Sequence, residues 1–383
     1  MIDRKPPIVA IDIREIVGHR TGKANVVYRL ITEWANKRPT WQPLLYANAN
    51  FQPTESNFPS WMKTRIIQGG RGRRFLWLAR DIESQGANLA LHPTGYHVAL
   101  VGATPTILIV YDLVAFGPFA HSLPWKTRLA ERLMLPRAAK KAVHILAISE
   151  FTKKELIQYL DLPESKITVM PLAAGNEFRP ATAVDQKTWP AIRDRYQLPA
   201  DFLLFVGTLE PRKNIAGLLN AYHALSKELK DRYPLLLVGR SGWLAEPIKT
   251  MINKLGEEET IRHIGSVTPA ELPAFYQQAT AFVYPSFYEG FGMPPLEAMA
   301  SGCPVITSNV ASLPEVVGQA ALQIDPNKSD ELTAALAKFL TDTKLQQELR
   351  AAGLQQAEKF SWKQSAEIAD RVITKSLSPF ISS

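Results

Sequence analysis

Short apolar runs alternate with stretches of helical spacing along the N-terminal half of the chain, and the same pattern starts again in the C-terminal half. Runs of this length predict buried strands. The first series predicts strands at residues 8–13, 43–46, 64–67, 88–92, 106–111, 144–148 and 167–170. The second predicts strands at residues 202–206, 235–238, 262–264, 281–284, 305–306 and 322–324. Strands that alternate with helices favour parallel sheets covered on both faces.

Two such series predict an α/β protein of two Rossmann-like domains, with their parallel sheets facing each other across a cleft that holds the ligand. The predicted domains are residues 1–175 and 201–361. Between them, residues 176–200 lose the pattern and include Pro180, Pro190 and Pro199. We therefore expect a linker there.

The stretch at residues 285–304, PSFYEGFGMPPLEAMASGCP, follows a predicted strand. Gly290 and Gly292 predict a tight turn where backbone can approach a ligand closely. Pro294 and Pro295 then suit the first turn of a helix. A glycine turn before a helix N-terminus predicts an anion site, because free backbone amides point out of the helix there.

Two carboxylates bracket this turn, Glu289 in the loop and Glu297 in the predicted first helical turn. Glu289 alone fits a solvated loop acid, and Glu297 alone fits a partner for the helix dipole. At the carboxyl end of a strand, where open α/β sheets bind ligands, the pair favours a polyhydroxylated ligand that also carries phosphate.

A second strand-to-helix junction carries GTLEPRKN at residues 207–214. Arg212 and Lys213 suit a diphosphate, arginine by bidentate geometry and lysine as a point charge. Solvated loop charges are the alternative interpretation.

Glu289 and Glu297, in the context YEGFGMPPLEAMASGCPVI, resemble the signature of the retaining glycosyltransferases of family 4 (glycosyl transferases group 1), in particular its mannosyltransferase-like members. GTLEPRKN is similar to the donor-diphosphate segment of that family. The resemblance is dense in the C-terminal half and thin in the N-terminal half. It implies the GT-B fold, with residues 1–175 and a crossover helix at 362–383 as the acceptor-side domain and residues 201–361 as the nucleotide-sugar donor domain.

The resemblance also implies residue roles. Glu289 and the amides after it would hold the donor sugar, and Glu297 would hold the ribose. The implied donor-binding residues are Gly22, Gly207, Arg212, Lys213, Ile264, Gly265, Glu289, Gly290, Phe291, Gly292, Met293 and Glu297. The implied catalytic residues are Glu289, Arg212, Lys213 and Asp112.

On the acceptor side, the implied residues are His92, Tyr111, Asp112 and Ser149, which lie at or just after predicted strand ends. Each also fits a structural polar group, and Ser149 fits a helix N-cap. The family usually places a histidine before this aspartate, whereas Tyr111 stands here. A tyrosine can hydrogen-bond a sugar hydroxyl but cannot act as a base near neutral pH.

The loop at residues 17–24 contains Gly22 and Lys23 but misses the phosphate-binding-loop spacing by one residue, and no Ser or Thr follows the lysine. No G-x-G-x-x-G fingerprint follows a strand, which disfavours a dinucleotide cofactor. The chain has no Asp-x-Asp metal motif. We therefore expect no metal and no cofactor. The family resemblance implies that the co-substrate is a nucleotide diphosphate sugar of the GDP-mannose type.

The distribution of charge along the chain predicts an anionic partner. Residues 1–175 carry 23 Lys and Arg against 13 Asp and Glu, a net of +10, whereas the remainder has a net charge of −2. A basic half suggests an anionic partner. The basic-aromatic stretches 71–80 and 125–141 suit an anionic membrane surface, or else are solvated faces of ordinary helices. No nucleic-acid-binding module is found, so we expect no nucleic acid partner.

Cys303 is the only cysteine, which excludes an internal disulfide and any multi-cysteine metal site. The opening MIDRKPPIVAIDI lacks a signal cleavage site, and no apolar run approaches the ~20 residues of a membrane span. We expect a cytoplasmic protein, peripheral at the inner face of the cell membrane.

The expected activity is transfer of a hexose, of mannose type, with retention, onto a glycan or a polyprenyl-diphosphate-linked glycan in cell-surface polysaccharide biosynthesis. Two alternatives stay open. One is a nucleotide-sugar epimerase on the same fold, and the other is a non-catalytic sugar-nucleotide-binding partner of a larger synthase.

Overall fold

In a computed structural model of the chain, the structure describes residues 5–16, 22–48, 51, 58–67, 74–242, 246–255 and 260–381. The chain forms two compact units. Unit 1 comprises Met1–Phe116, Lys126–Leu172 and Ser361–Ser383. Unit 2 comprises Gly117–Trp125 and Ala173–Phe360.

Each unit contains one parallel sheet. The strands of unit 1 are β1 Ile8–Asp12, β2 Gln42–Ala47, β3 Lys63–Ile66, β4 Leu89–His92, β5 Thr106–Val110, β6 His144–Ala147 and β7 Ile167–Val169. The strands of unit 2 are β8 Leu203–Val206, β9 Leu235–Val238, β10 Ile261–Gly265, β11 Ala281–Tyr284, β12 Val305–Ser308 and β13 Ala321–Ile324. Every predicted strand is present, with its ends within two residues of the prediction.

The helices follow the strands in alternation. They are α1 Gly22–Lys37, α2 Arg74–Ser84, α3 Tyr96–Val101, α4 Trp125–Lys141, α5 Glu150–Leu160, α6 Ala183–Tyr196, α7 Ile215–His223, α8 Lys227–Arg232, α9 Glu246–Leu255, α10 Leu272–Gln278, α11 Met293–Ala300, α12 Leu313–Val317, α13 Ser329–Thr341, α14 Thr343–Ala357 and α15 Trp362–Ile381. None of these helices, within the described residues, is both long enough and apolar enough to cross a bilayer.

The strand order fixes where a ligand can bind. It is β3-β2-β1-β4-β5-β6-β7 in unit 1 and β10-β9-β8-β11-β12-β13 in unit 2, so the direction of winding reverses beside β1 and beside β8. Open α/β sheets bind ligands outside the carboxyl ends of the strands at such a switch point. In unit 1 the switch lies between β1 and β4, and in unit 2 between β8 and β11.

Burial on both faces explains why the central strands form. The sequence of β9, LLLV, is apolar throughout and fully buried, as expected for a strand covered by helices on both sides. In unit 1, α15 packs against α1. Trp34 donates its indole N–H to the carbonyl of Ala366 at 3.3 Å, and Trp41 donates to the Asp370 carboxylate at 2.7 Å.

The prediction of a linker at residues 176–200 needs correction, because these residues form part of unit 2 and contain the helix α6. Thr182 caps the helix in a capping box with Asp185, whose carboxylate accepts the Thr182 backbone N–H at 2.7 Å. Pro190, which suggested a break, lies inside the helix.

Aromatic packing holds α6 in place. Trp189 stacks on Phe202 with ring centroids 6.3 Å apart, and Tyr196 meets Phe275 edge-on at 5.5 Å. The sequence pattern missed this helix because most of its face is polar and exposed, so its apolar contacts are few.

The strand ends of unit 2 come together through glycines. The Gly207 amide donates to the carbonyl of Val238 at 2.9 Å, and the Gly239 amide donates to that of Gly265 at 2.8 Å. A Cβ atom at Gly239, whose φ is +145°, would lie 2.0 Å from the carbonyl oxygen of Gly207. The loops after β8 and β9 can therefore approach this closely only with glycine at position 239.

We expect Gly239→Ala to destabilise the protein by about 3 kcal/mol or more, since a backbone clash and a strained φ would add. Urea unfolding measures the loss. Gly22→Ala is the control, because a Cβ at Gly22 would meet no atom within 4 Å, and it should stay within ~0.5 kcal/mol of the wild type. Equal stability of the two variants would contradict the close approach.

Candidate active site

The centre of the site in unit 2 is a buried ion pair between Lys213 and Glu289. Lys213 ends the 3₁₀ turn that follows β8, and Glu289 lies in the loop after β11, so the switch point brings the two together. Lys213 also donates to the hydroxyl of Tyr284. Lys213 and Glu289 are 76 positions apart in the chain, and the strand order alone makes them neighbours.

One carboxylate oxygen of Glu289 is fully engaged. Its Oε1 accepts from Lys213, from the Tyr284 hydroxyl at 2.8 Å and from the Ser286 hydroxyl at 2.9 Å. Its Oε2 lies 3.4 Å from Nη1 of Arg212. The Oε2 side of the carboxylate is therefore the side that can accept from a ligand hydroxyl.

Arg212 is held on three sides. Its guanidinium pairs with Glu210 at 2.8 Å, donates to the Tyr288 carbonyl at 3.0 Å and faces Glu289. Its own carbonyl accepts the Phe287 amide at 2.9 Å, which ties the turn after β8 to the loop after β11. The arginine is thereby fixed in position before any ligand binds.

Charge decides the ionisation state of this cluster. Burial alone would raise the pKa of Glu289, but the positive charges of Lys213 and Arg212 hold that pKa down at about 2. Burial lowers the pKa of Lys213, against the attraction of Glu289. A carboxylate with so low a pKa is a poor general base, so Glu289 can orient a ligand but is ill-suited to take a proton from it.

The glycine turn is fixed from behind by Ser312, a residue that the sequence analysis did not single out. Its hydroxyl donates to the carbonyls of Glu289 at 2.9 Å and Phe291 at 2.6 Å. Gly292 has a φ of +116°, and a Cβ there would lie 3.0 Å from Leu313. The predicted tight turn from Gly290 into α11, which starts at Met293, is thus present.

Glu297 lies one turn deeper in α11 than predicted, as the fifth residue of the helix. Its Oε2 accepts from the Tyr276 hydroxyl at 3.2 Å. Burial raises the pKa of Glu297 to about 8, with a further contribution from the charge of Glu177. The side chain therefore carries a proton at neutral pH and can both donate to and accept from a hydroxyl group.

The remaining donor-side residues line the ends of neighbouring strands. Gly207 follows β8, and Ile264 and Gly265 end β10, where the pairing with β9 shifts register. Gly265 has a φ of +79° with open space where a side chain would be. The irregular strand end exposes backbone, as expected for a surface that binds through backbone contacts.

In unit 1 the switch point holds a second ion pair, between buried Asp12 and partly exposed Arg14, that the sequence analysis missed. Arg14 donates to both oxygens of Asp12, from Nε at 2.8 Å and from Nη2 at 2.6 Å. Gly95 has a φ of +83°, and a Cβ there would come within 2.9 Å of the Arg14 guanidinium. His92, at the end of β4, lies with its Nδ1 3.9 Å from Asp12, too far for a hydrogen bond.

Tyr111 and Asp112 follow β5 at the same edge of the sheet. The Tyr111 hydroxyl is buried and has no hydrogen-bond partner among the described residues. The ammonium of Lys23 lies 5.2 Å from the centre of its ring. Asp112 accepts the Val114 amide at 3.3 Å, and its charge adds to burial in raising the pKa of Glu131.

Ser149 and Gly22 have plain structural settings. The Ser149 side chain accepts the Thr152 amide at 2.9 Å, so it is the N-cap of α5 that one interpretation predicted. Gly22 is the first residue of α1, with open space around it. Residues 17–21 of the loop before it lie outside the described residues.

Sequence reasoning could have found some of the missed residues. Asp12, Arg14 and Gly95 follow strand ends at the switch point, where polar residues are informative. The sequence contains no such indication for Ser312, which lies in a later loop. It contains none for Tyr284 either, because this residue has the pattern of an ordinary buried strand residue. Among the residues described, no group of three or more His, Cys, Asp or Glu side chains is placed to hold a metal ion.

Comparison with known proteins gives a family match and several similar proteins. Residues 191–356 match the family described as glycosyl transferases group 1. The chain is 43% identical over 219 residues to O-antigen chain mannosyltransferase B from Escherichia coli, covering 57% of each chain. It is 35% identical over 323 residues to the serotype-specific mannosyltransferase WbdA from Escherichia coli, covering 76% of this chain and 39% of that protein. The chain thus spans about half the length of the curated relatives it matches.

Among solved structures, sucrose-phosphate synthase from Thermosynechococcus elongatus is similar over 98% of this chain and 100% of its own, with a TM-score of 0.76 at 20% identity. At that identity the likeness concerns the fold, which is the GT-B type predicted from the sequence. Together these findings show that residues 191–356 resemble the glycosyl transferases group 1 family, that the fold is of the GT-B type, and that the chain is similar to known mannosyltransferases.

Proposed function

We propose that the protein is a retaining hexosyltransferase that moves a mannose-type sugar from a nucleotide diphosphate sugar to a hydroxyl of a glycan or polyprenyl-diphosphate-linked glycan. The observation that carries the proposal is the buried pair of Lys213 and Glu289, with Arg212 beside it, at the switch point of unit 2. The names of the relatives, O-antigen and serotype-specific mannosyltransferases, support the sugar and a role in surface polysaccharide assembly.

The site suits a leaving diphosphate. As the anomeric C–O bond breaks, negative charge grows on the diphosphate, and fixed cations stabilise that charge more than they stabilise the ground state. Arg212 is held rigidly by Glu210 and the Tyr288 carbonyl, so little reorganisation is needed when charge develops. The amides of the turn before α11 add partial positive charge.

We infer that Glu289 orients the sugar and does not attack it. Three donors occupy its Oε1, and its pKa of about 2 makes it a weak nucleophile. This supports same-face attack by the acceptor over a covalent glycosyl-enzyme intermediate on Glu289. Retention itself is part of the proposal.

We infer further that the reaction requires no metal, because two cationic side chains and a helix N-terminus already serve the diphosphate. The acceptor side is assigned to Tyr111 and Asp112 of unit 1, where a buried hydroxyl has no partner among the described residues. A neutral phenol of this kind is a suitable hydrogen-bonding group for a sugar hydroxyl.

A peripheral contact with an anionic membrane, on the cytoplasmic face, completes the proposal. In α4 the side chains of Leu129 and Leu133 are 50% and 49% exposed and lie one helical turn apart. Trp125 at the start of the helix is 63% exposed, and Lys126 and Arg132 lie between these apolar positions. Exposed aromatic and aliphatic residues interleaved with cations suit the headgroup region of a membrane.

The donor site predicts nucleotide binding. A thermal-shift screen with GDP, UDP, ADP and dTDP, first without metal and then with Mg²⁺, should single out one nucleotide, with GDP favoured. A ligand at ~100 times its Kd stabilises the folded protein by ~2.7 kcal/mol. Arg212→Ala should weaken binding by about 10- to 100-fold, because a charge-assisted hydrogen bond is lost.

Lys227→Ala, which removes an exposed cation of α8, is the control and should bind like the wild type. Absence of any shift would overturn the donor site, and a shift that requires Mg²⁺ would overturn the metal-free proposal. A new nucleotide sugar formed from donor alone would indicate an epimerase instead.

Tyr111→Phe separates an acceptor role from a structural one. Loss of a buried hydroxyl without a partner should leave stability unchanged or raise it by up to ~1 kcal/mol. Nucleotide affinity should also stay unchanged, whereas transfer to the acceptor should fall about tenfold or more if the hydroxyl binds a sugar. Unchanged transfer would remove Tyr111 from the acceptor site.

Glu297→Gln tests the proton on this side chain. The pKa of Glu297 is about 8 in the folded protein and near ~4.3 in an unfolded chain. The stability that this proton contributes is fully present below the unfolded value and is lost as the pH rises through about 8. The Tm of the wild type should therefore drop more between about pH 6 and about pH 8 than that of Glu297→Gln. The variant Glu348→Gln, an exposed acid on α14, should follow the wild type.

A further inference from the structure

Unit 1 contains a groove that the proposed function does not use. It runs between the β6–β7 edge of the sheet and α15, and it holds a cavity of about 660 Å³. That volume lies in the range of small-molecule sites. Val143, Val169, Ile368 and Val372 supply apolar walls.

Two cations of α15, Arg371 and Lys375, line the groove one helical turn apart. Among the described residues, no carboxylate forms a salt bridge with either side chain, although the charge of Arg371 helps to lower the pKa of Glu367. Lys166 lies close by and donates to the Lys140 carbonyl at 2.7 Å, which leaves its positive charge without a carboxylate. Positive charge thus converges on the groove.

His144 shows the effect of that charge. It lines the groove at the start of β6, and its Nε2 lies 2.8 Å from the Thr168 hydroxyl. Burial, together with the positive charges of Lys375 and Lys166, lowers the pKa of His144. The positive charges of Lys375 and Lys166 therefore act on this side chain.

The described residues that line the groove include no carboxylate. Glu164 pairs with Lys153 at 2.7 Å, and Asp370 accepts from Trp41 at 2.7 Å. Glu367, on the same helix as Arg371, pairs with Lys37. Converging like charges repel one another and cost stability unless an anion binds among them. Such an arrangement is consistent with a site for an anionic ligand.

The rim of the groove is apolar and open to solvent. Val143 is 46% exposed, and Phe380, next to the lining residue Pro379, is 42% exposed. An anion with an apolar tail matches both the charge and the rim, whereas a free phosphate ion would use the charge alone. Exposed apolar side chains beside cations are typical of surfaces that enter the headgroup region of a bilayer.

We propose that this groove, between α15 and the β6–β7 edge, binds the phosphate headgroup and upper acyl chain of an anionic membrane lipid. It is distinct from the candidate active site. The groove follows the outer edge of the sheet from His144, at the start of β6, to Val169, at the end of β7. None of the residues assigned to the candidate active site lines it. It is also distinct from the exposed apolar positions of α4.

The test is co-sedimentation with vesicles of phosphatidylcholine that contain phosphatidylglycerol, with pure phosphatidylcholine vesicles alongside. Lys375→Glu should weaken binding to the anionic vesicles about tenfold or more, since two units of charge change at the surface. Lys363→Glu, on the same helix outside the groove, makes the same change in net charge and is the matched control. It should lose no more than about threefold.

Val143→Ser tests the apolar rim without any change in charge, and Leu129→Ser tests α4 in the same way. The groove predicts that Val143→Ser weakens vesicle binding. Nucleotide stabilisation of Lys375→Glu should equal that of the wild type, so the result does not depend on whether the transferase proposal holds.

Three outcomes would overturn the groove proposal. Equal losses in Lys375→Glu and Lys363→Glu would indicate a diffuse charge effect. A loss in Leu129→Ser with none in Val143→Ser would place the membrane contact on α4. Binding of a poly-glutamate peptide by the wild type but not by Lys375→Glu, without binding to vesicles, would assign the groove to an acidic protein partner.

Discussion

The buried charge pair of Lys213 and Glu289 is the constraint on which the site in unit 2 depends. Each ion is taken out of water at a cost of several kcal/mol, and removal of one partner would leave an uncompensated charge that costs about 3–5 kcal/mol. Well-packed apolar side chains would stabilise the same place at least as well. A charge pair here therefore contributes little to stability, but it holds charge at the place where a diphosphate would lie.

Several other contacts in unit 2 hold that pair in position. The strand order sets β8 beside β11, so the turn after one strand meets the loop after the other. Arg212 links them through its carbonyl and its guanidinium. Ser312 fixes the loop from the far side, and Gly239 lets the neighbouring loop come close enough to close the edge.

The sequence predicted the strands and the two sheets, and it predicted that Glu289, Arg212 and Lys213 lie just after strand ends. It could do so because strand periodicity and glycine turns are local signals. It missed α6, whose apolar contacts are few and whose Pro190 suggested a break. It also missed the Asp12–Arg14 pair and the partners of Glu289. The contact of Lys213 with Glu289 joins residues 76 positions apart through the strand order, and an unaligned sequence does not reveal a pairing of that kind. The Asp12–Arg14 pair and the contacts of Glu289 with Tyr284 and Ser286 are local, but their residue spacing matches no known motif.

The switch points of the two units differ in how their charged residues are paired, and this difference concerns the ligand that each could bind. In unit 2 a low pKa keeps Glu289 ionised beside two cations, which suits a ligand that gains negative charge. In unit 1 Asp12 neutralises Arg14 in a bidentate pair, and Tyr111 keeps a neutral hydroxyl with its pKa raised well above the usual value by burial. At this switch point, a compensated ion pair and a neutral, buried hydroxyl favour an uncharged polyol over a phosphate. This difference agrees with the proposed division, in which unit 2 binds the donor diphosphate and unit 1 binds the sugar acceptor.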